Sequence, residues 1–122
     1  MRVGFCLLIV TFLSISRCKS DNPEIDGILI RIENSSSKTF SSVYVNSGGS
    51  ENTYFNIAPG RTSKFLSYKT AYRYGYIKVI TSGSDYVIQP FDYVGEIPLE
   101  DGEYTYVLGI ESENLTFNFV EN

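Results

Sequence analysis

Ile28, Ile30 and Ile32 alternate with Leu29, Arg31 and Glu33, and this period of two returns in short runs along most of the chain. Successive side chains of a strand point to opposite faces, so a β-branched row at that spacing marks the buried face of a half-exposed strand. In residues 40–46, Val43 and Val45 share one face and Tyr44 takes the other. Residues 46–52 read as a polar, glycine-containing loop. Residues 53–57 and 62–68 read as two further strands, joined through Pro59 and Gly60, which supply the fixed and the positive φ of a turn. Another strand ends at Ile80, turns through Ser82-Gly83-Ser84 and returns over residues 85–90 as its hairpin partner. Pro90 and Pro98 each deny a ladder donor, so residues 91–99 form an edge segment or a long connection. Ten Tyr and eight Phe, set among frequent Gly, Ser and Asn, fit an all-β composition.

The most specific fold signal is Leu99-Glu100-Asp101-Gly102-Glu103-Tyr104. Asp101-Gly102 is a turn, after which Tyr104, Tyr106, Leu108 and Ile110 fall on one face of a strand. Residues 114–120 form the last strand and pair with it across residues 111–113. A tyrosine just after an acidic-glycine turn, at the start of a late strand, resembles the tyrosine corner of immunoglobulin-like sandwiches. The resemblance implies a structural role for Tyr104, its hydroxyl bonding back to backbone near Leu99 or Glu100. It also implies that Tyr106 stands where antibody domains carry a cysteine. Seven or eight short antiparallel strands, with no helix and no internal repeat, then give an all-β, immunoglobulin-like β-sandwich. A small β-barrel is the alternative closure.

The first eighteen residues decide where this domain resides. Arg2 precedes an uncharged, mostly apolar run of 13 residues, 3–15, which stops at Ser16-Arg17-Cys18-Lys19. A charged start, a short apolar centre and an early stop are the layout of a secretory signal peptide, and the run falls well short of the roughly 20 residues a spanning helix needs. A leader that ends at a cysteine followed by Lys19-Ser20-Asp21-Asn22 resembles the bacterial lipoproteins of the Bacteroidetes group. That resemblance implies lipid on the sulfur of Cys18, an anchor in the outer membrane of the cell envelope, and removal of residues 1–17. Residues 18–26 are then a flexible tether and 27–122 the single domain. Ile15 and Ser16 suit the family's cleavage motif, whereas Arg17 stands where Gly, Ala or Ser is usual. A secretory cut after Ser16, leaving a soluble exported protein, is the alternative. The segments around Ile30-Arg31-Ile32-Glu33-Asn34, Val43-Tyr44-Val45-Asn46 and Gln89-Pro90-Phe91-Asp92-Tyr93 also resemble small uncharacterised members of that group, and imply no activity.

Cys6 is lost with the leader, so the exported chain holds only Cys18, and no disulfide closes within one molecule. His is absent, which removes the usual general base, the commonest transition-metal ligand and any Ser-His-Asp arrangement. Neither a cofactor motif nor zinc-ligand spacing occurs. The carboxylates Asp92, Glu96, Glu100, Asp101 and Glu103 are the remaining candidates for acid-base work or for calcium, and read first as solvated turn acids. Asn34-Ser35-Ser36 and Asn114-Leu115-Thr116 match glycosylation acceptors by chance. The exported chain keeps eight basic and fourteen acidic residues, a charge of −6, which disfavours nucleic acid. From residue 81 to the end there are nine acids and no Lys or Arg.

Within Ala71-Tyr72-Arg73-Tyr74-Gly75-Tyr76-Ile77-Lys78-Val79, alternation puts Tyr72, Tyr74, Tyr76 and Lys78 on one face, opposite Ile77 and Val79. An outward tyrosine row offers stiff amphipathic contact area for a carbohydrate or a protein ligand. Alternatively the strand begins only at Gly75 and the register breaks there. The expected function is a non-enzymatic binding or structural module of the envelope, with no cofactor. The competing expectations are a carbohydrate-active enzyme that uses loop carboxylates and an inhibitor or assembly subunit for a protein partner.

Overall fold

The computed structural model describes residues 26–90 and 95–122 of the chain. Strand β1, Ile28–Asn34, buries every second residue, and Ile30 and Ile32 are wholly inaccessible to solvent. Strand β2, Phe40–Ser47, buries Val43, Val45 and Ser47 in the same manner, and Phe40 beyond a one-residue shift opposite Asn56. It returns as β3, Ser50–Ile57, through Gly48-Gly49, whose positive φ values of 66° and 94° make the tight two-residue turn favoured between twisted strands. The expected loop over residues 46–52 is therefore a hairpin. Its closing pair is Ser47 and Ser50.

Strand β4, Leu66–Tyr68, is shorter than the expected 62–68. The Ser63 hydroxyl accepts the Ile32 N–H at 2.9 Å where a ladder carbonyl would stand, and only an isolated bridge joins Glu33 to Thr62. Strands β5, Tyr76–Ile80, and β6, Asp85–Ile88, form the expected hairpin. Strands β7, Gly102–Glu111, and β8, Asn114–Glu121, pair across Ser112 and Glu113, both at positive φ.

These eight strands make two four-stranded sheets, β4-β1-β7-β8 and β3-β2-β5-β6, packed as a β-sandwich. Neither sheet closes into a barrel. One ladder departs from the all-antiparallel expectation: β1 and β7 run parallel, Ile30 opposite Tyr104 and Ile32 opposite Tyr106. A parallel pair requires a long crossover, here the path through β2 and β3, back through β4 in the first sheet, and out again through β5 and β6. The core lies between the sheets and holds Ile30, Ile32, Val43, Val45, Ile77, Val79, Tyr106 and Leu108. Each such aliphatic side chain contributes roughly 1.5–3 kcal/mol through burial.

Polar groups inside this core are paired, as burial demands. The Tyr54 hydroxyl reaches from β3 across to β1 and donates to the Ile30 carbonyl at 2.7 Å. With its proton committed there, it accepts from Tyr68 at 2.8 Å. Asn34, also without solvent access, donates to the Lys38 and Ile57 carbonyls at 2.7 and 2.8 Å and accepts from Ser36. Its amide is thus a structural strut, in keeping with its sequon being chance; Asn114, in the other sequon, is exposed.

Candidate functional site

The register of the second sheet determines which side chains leave the core. Val43 opposite Tyr54 and opposite Val79 faces inward. Their neighbours must face outward, so Phe55, Ser42 and Ile80 make one outer row and Thr53, Tyr44, Lys78 and Val87 the next. Tyr76 follows beside Asn46. Phe55, Ile80 and Val87 are 65, 36 and 48 % exposed, and Ser42 leaves a notch between the first two. Tyr44 and Tyr76 are half-buried and meet edge to face, with centroids 6.0 Å apart and planes at 67°. Lys78 stands 4.0 Å from Asp85, a loose surface pair of little energetic weight. The Tyr44 hydroxyl donates to Glu51 at 2.9 Å.

Of the four residues expected on one outward face, Tyr76 and Lys78 are there, and Tyr72 and Tyr74 are not part of the row. The strand starts only at Tyr76. At Gly75 the backbone passes so close to β2 that a Cβ would come within 2.8 Å of the Asn46 carbonyl oxygen, which requires glycine and breaks the register. The preceding segment is held by Ser47, whose hydroxyl accepts the Tyr72 N–H at 2.8 Å and donates to the Tyr74 carbonyl at 2.7 Å. From the other sheet, Tyr106 donates to the Tyr72 carbonyl at 2.5 Å. The Tyr72 ring covers Gly48.

Phe55, Ile80, Val87 and Tyr44 were not among the expected site residues. Tyr54-Phe55 offers two adjacent aromatics to one core, and only the pairing with β2 assigns Tyr54 inward and Phe55 outward.

Among the described residues the carboxylate candidates do not form a common cleft. Glu100 and Asp101 are exposed in the turn before β7, and Glu103, opposite Leu29, points away from the core. Glu96 is half-buried and Asp92 lies outside the described residues, as does Cys18. A cavity of about 280 Å³ joins Glu100 and Glu121 with Arg73, Leu99 and Tyr104. Here the Tyr104 hydroxyl donates to the Glu100 carbonyl at 2.7 Å, and its ring packs back over Gly102. Burial first, then the carboxylates of Glu121 and Glu100, raises the phenol above its ordinary pKa. Among the described residues no group of three or more carboxylates is placed to hold a metal ion. A second, larger groove of about 630 Å³ runs between β3 and residues 61–66, past Arg61 and Lys64.

No family model matches the chain, and no curated protein is significantly similar to it. Among solved structures it is similar to the NMR structure of a protein from Eubacterium rectale, with a TM-score of 0.58 and 12 % identity. The match covers 85 % of this chain and 97 % of that one. At that identity the likeness concerns the fold alone.

Proposed function

We propose that the chain is an exported, envelope-anchored, non-enzymatic binding module that holds a protein partner on the outer face of the β3-β2-β5-β6 sheet. The observation that carries this reading is the gathering of Phe55, Ile80 and Val87, three exposed large apolar side chains, on one sheet face around Tyr44, Tyr76 and Lys78. Single exposed apolar residues are ordinary, whereas a contiguous patch with a polar rim is the usual mark of an interaction surface. A protein partner suits the patch better than a sugar. Ile80 and Val87 have no π face to lay on a pyranose, and Tyr44 and Tyr76 stand edge to face rather than as a flat stacking platform. Export and anchoring rest on the apolar run of residues 3–15 and on Cys18, read from the sequence.

The test is a capture experiment from the envelope fraction of the native host, comparing the wild type with the double variant Phe55→Ser and Ile80→Ser. A stoichiometric partner retained by the wild type, and lost by a variant of unchanged melting temperature, is the expected result. Equal retention by the variant overturns the assignment of the face. Glycan turnover abolished by Asp92→Asn would replace this reading with the carbohydrate-active enzyme.

A further inference from the structure

We propose that copies of this chain associate head to tail, the acidic edge strand β8 of one copy seating in the basic groove beside β3 of the next. Strands β3 and β4 lie against each other along one side of the sandwich and β6 and β8 along the other. Both sides end in an eight-residue edge strand whose outer ladder is unpaired among the described residues. Because Ser47 and Ser50 close a two-residue hairpin, Val43 and Tyr54 exchange the ladder bonds of that hairpin, and the backbone groups of Thr53 and Phe55 face away from β2, into the groove. Asn56, at φ 56°, leaves the ladder, so the open stretch runs from Glu51 to Phe55. By the same count across the turn at Ser112 and Glu113, the backbone groups of Leu115, Phe117 and Phe119 face outward from β8.

Exposed edges are ordinarily guarded by Lys, Pro or a bulge. The β3 side has such guards in Lys64, Arg61 and the twist at Asn56. Strand β8, Asn114–Glu121, contains no Lys, Arg or Pro and keeps its full register with β7. It offers a bare ladder flanked by Glu113 and Glu121.

Charge then decides which edge meets which. The groove is lined by Arg61, Lys64, Phe55, Asn56, Ile57 and Leu66 among others, with no carboxylate. Among the described residues the one ion pair is Lys78 with Asp85, and neither Arg61 nor Lys64 has an acidic partner among them. The chain beyond residue 80 supplies nine acids and no base of its own; Arg73, over the Phe119 ring and in one cavity with Glu121, is the cation beside the C-terminal end of β8. Two β8 edges would bring glutamates together, and two β3 edges would bring Arg61 and Lys64 together, the one carboxylate of the open stretch, Glu51, being at its far end and bonded by the Tyr44 hydroxyl. Only the contact of β8 with the groove pairs opposite signs, with apolar Ile57 and Leu66 as its floor. Such a contact joins unlike surfaces, so it propagates into a ring or an open chain rather than a closed dimer.

The experiment is sedimentation velocity on the exported chain released from the membrane by Cys18→Ala, across a range of protein concentrations. In about 0.01 M salt, where charges act over roughly 30 Å, the mean mass should climb with concentration, and in about 1 M salt, where they act over roughly 3 Å, it should return to that of one chain. A chain that stays monomeric at low salt and high concentration overturns the proposal. Charge reversal supplies the second arm. The variant Arg61→Glu with Lys64→Glu and the variant Glu113→Lys with Glu121→Lys should each be monomeric alone, and a mixture of the two should assemble again. All four side chains are exposed, so both variants should keep the melting temperature of the wild type. Continued assembly of either variant alone, or no assembly in the mixture, contradicts the contact.

Discussion

The Tyr104 hydroxyl donates to the Glu100 carbonyl across 2.7 Å, and so ties the start of β7 to the turn that delivers it. The ring stacks on Phe119 of β8 with centroids 5.5 Å apart. Tyr104→Phe keeps that stack and deletes the bond. Because the bond is only partly buried, water reaches the abandoned carbonyl, and the expected loss is about 1 kcal/mol, at the middle of the range for one hydrogen bond. Denaturant unfolding of the pair of proteins measures it. Equal midpoints would mean that the corner contributes nothing.

Buried phenols make stability fall at high pH. Burial holds Tyr54 far above its ordinary value and pushes Tyr68 up to about 12. Unfolded tyrosines ionise near pH 10, so the folded state keeps protons that the unfolded state releases. The stabilising contribution is full below about pH 10 and is lost as the pH rises through the folded values. Above about pH 10 each of the two should lower stability by about 1.4 kcal/mol per pH unit. Unfolding titrations between about pH 9 and 12 read the slope directly, and Tyr68→Phe should flatten it. A flat profile would place both hydroxyls in water.

Ser47 bonds the backbone on both sides of Arg73 and has no solvent access. Ser47→Ala leaves the Tyr72 N–H and the Tyr74 carbonyl without that partner and should cost about 1–3 kcal/mol. Amide exchange at Tyr72 should accelerate with it. Unchanged exchange would show that the segment before β5 is held by its rings and by Tyr106 instead.

Much of this fold is legible in local sequence, because a strand with one wet face writes its orientation into every second residue. Ile28, Ile30 and Ile32 mark β1, and Asp101-Gly102-Glu103-Tyr104 marks the corner. What local sequence does not carry is pairing between distant strands. Nothing in the neighbourhood of Ile30 or Tyr104 announces that β1 and β7 run parallel. The outer face is a product of four registers at once, so Phe55, Ile80 and Val87 become neighbours only through β2 and β5. Gly75 misleads for a different reason. Alternation continues through Tyr72, Tyr74 and Tyr76 as a pattern of letters, while the close approach to Asn46 that ends the strand is a tertiary fact.

Anchoring is tested by Cys18→Ala. The wild type should fractionate with membranes and carry an acylated N-terminal cysteine by mass spectrometry, and the variant should be released. A soluble wild type that begins at Arg17 would establish the secretory cut after Ser16 in place of lipidation.

The binding face itself is tested by site-specific photocrosslinking in the native envelope. Ile80 and Val120 are matched probes, 36 and 38 % exposed, on the outer faces of opposite sheets. A photoreactive residue at position 80 should capture one discrete protein other than this chain, and the same residue at position 120 should not capture that protein. Capture of that protein from position 120 alone, or equally from both positions, would contradict a partner held on the β3-β2-β5-β6 face.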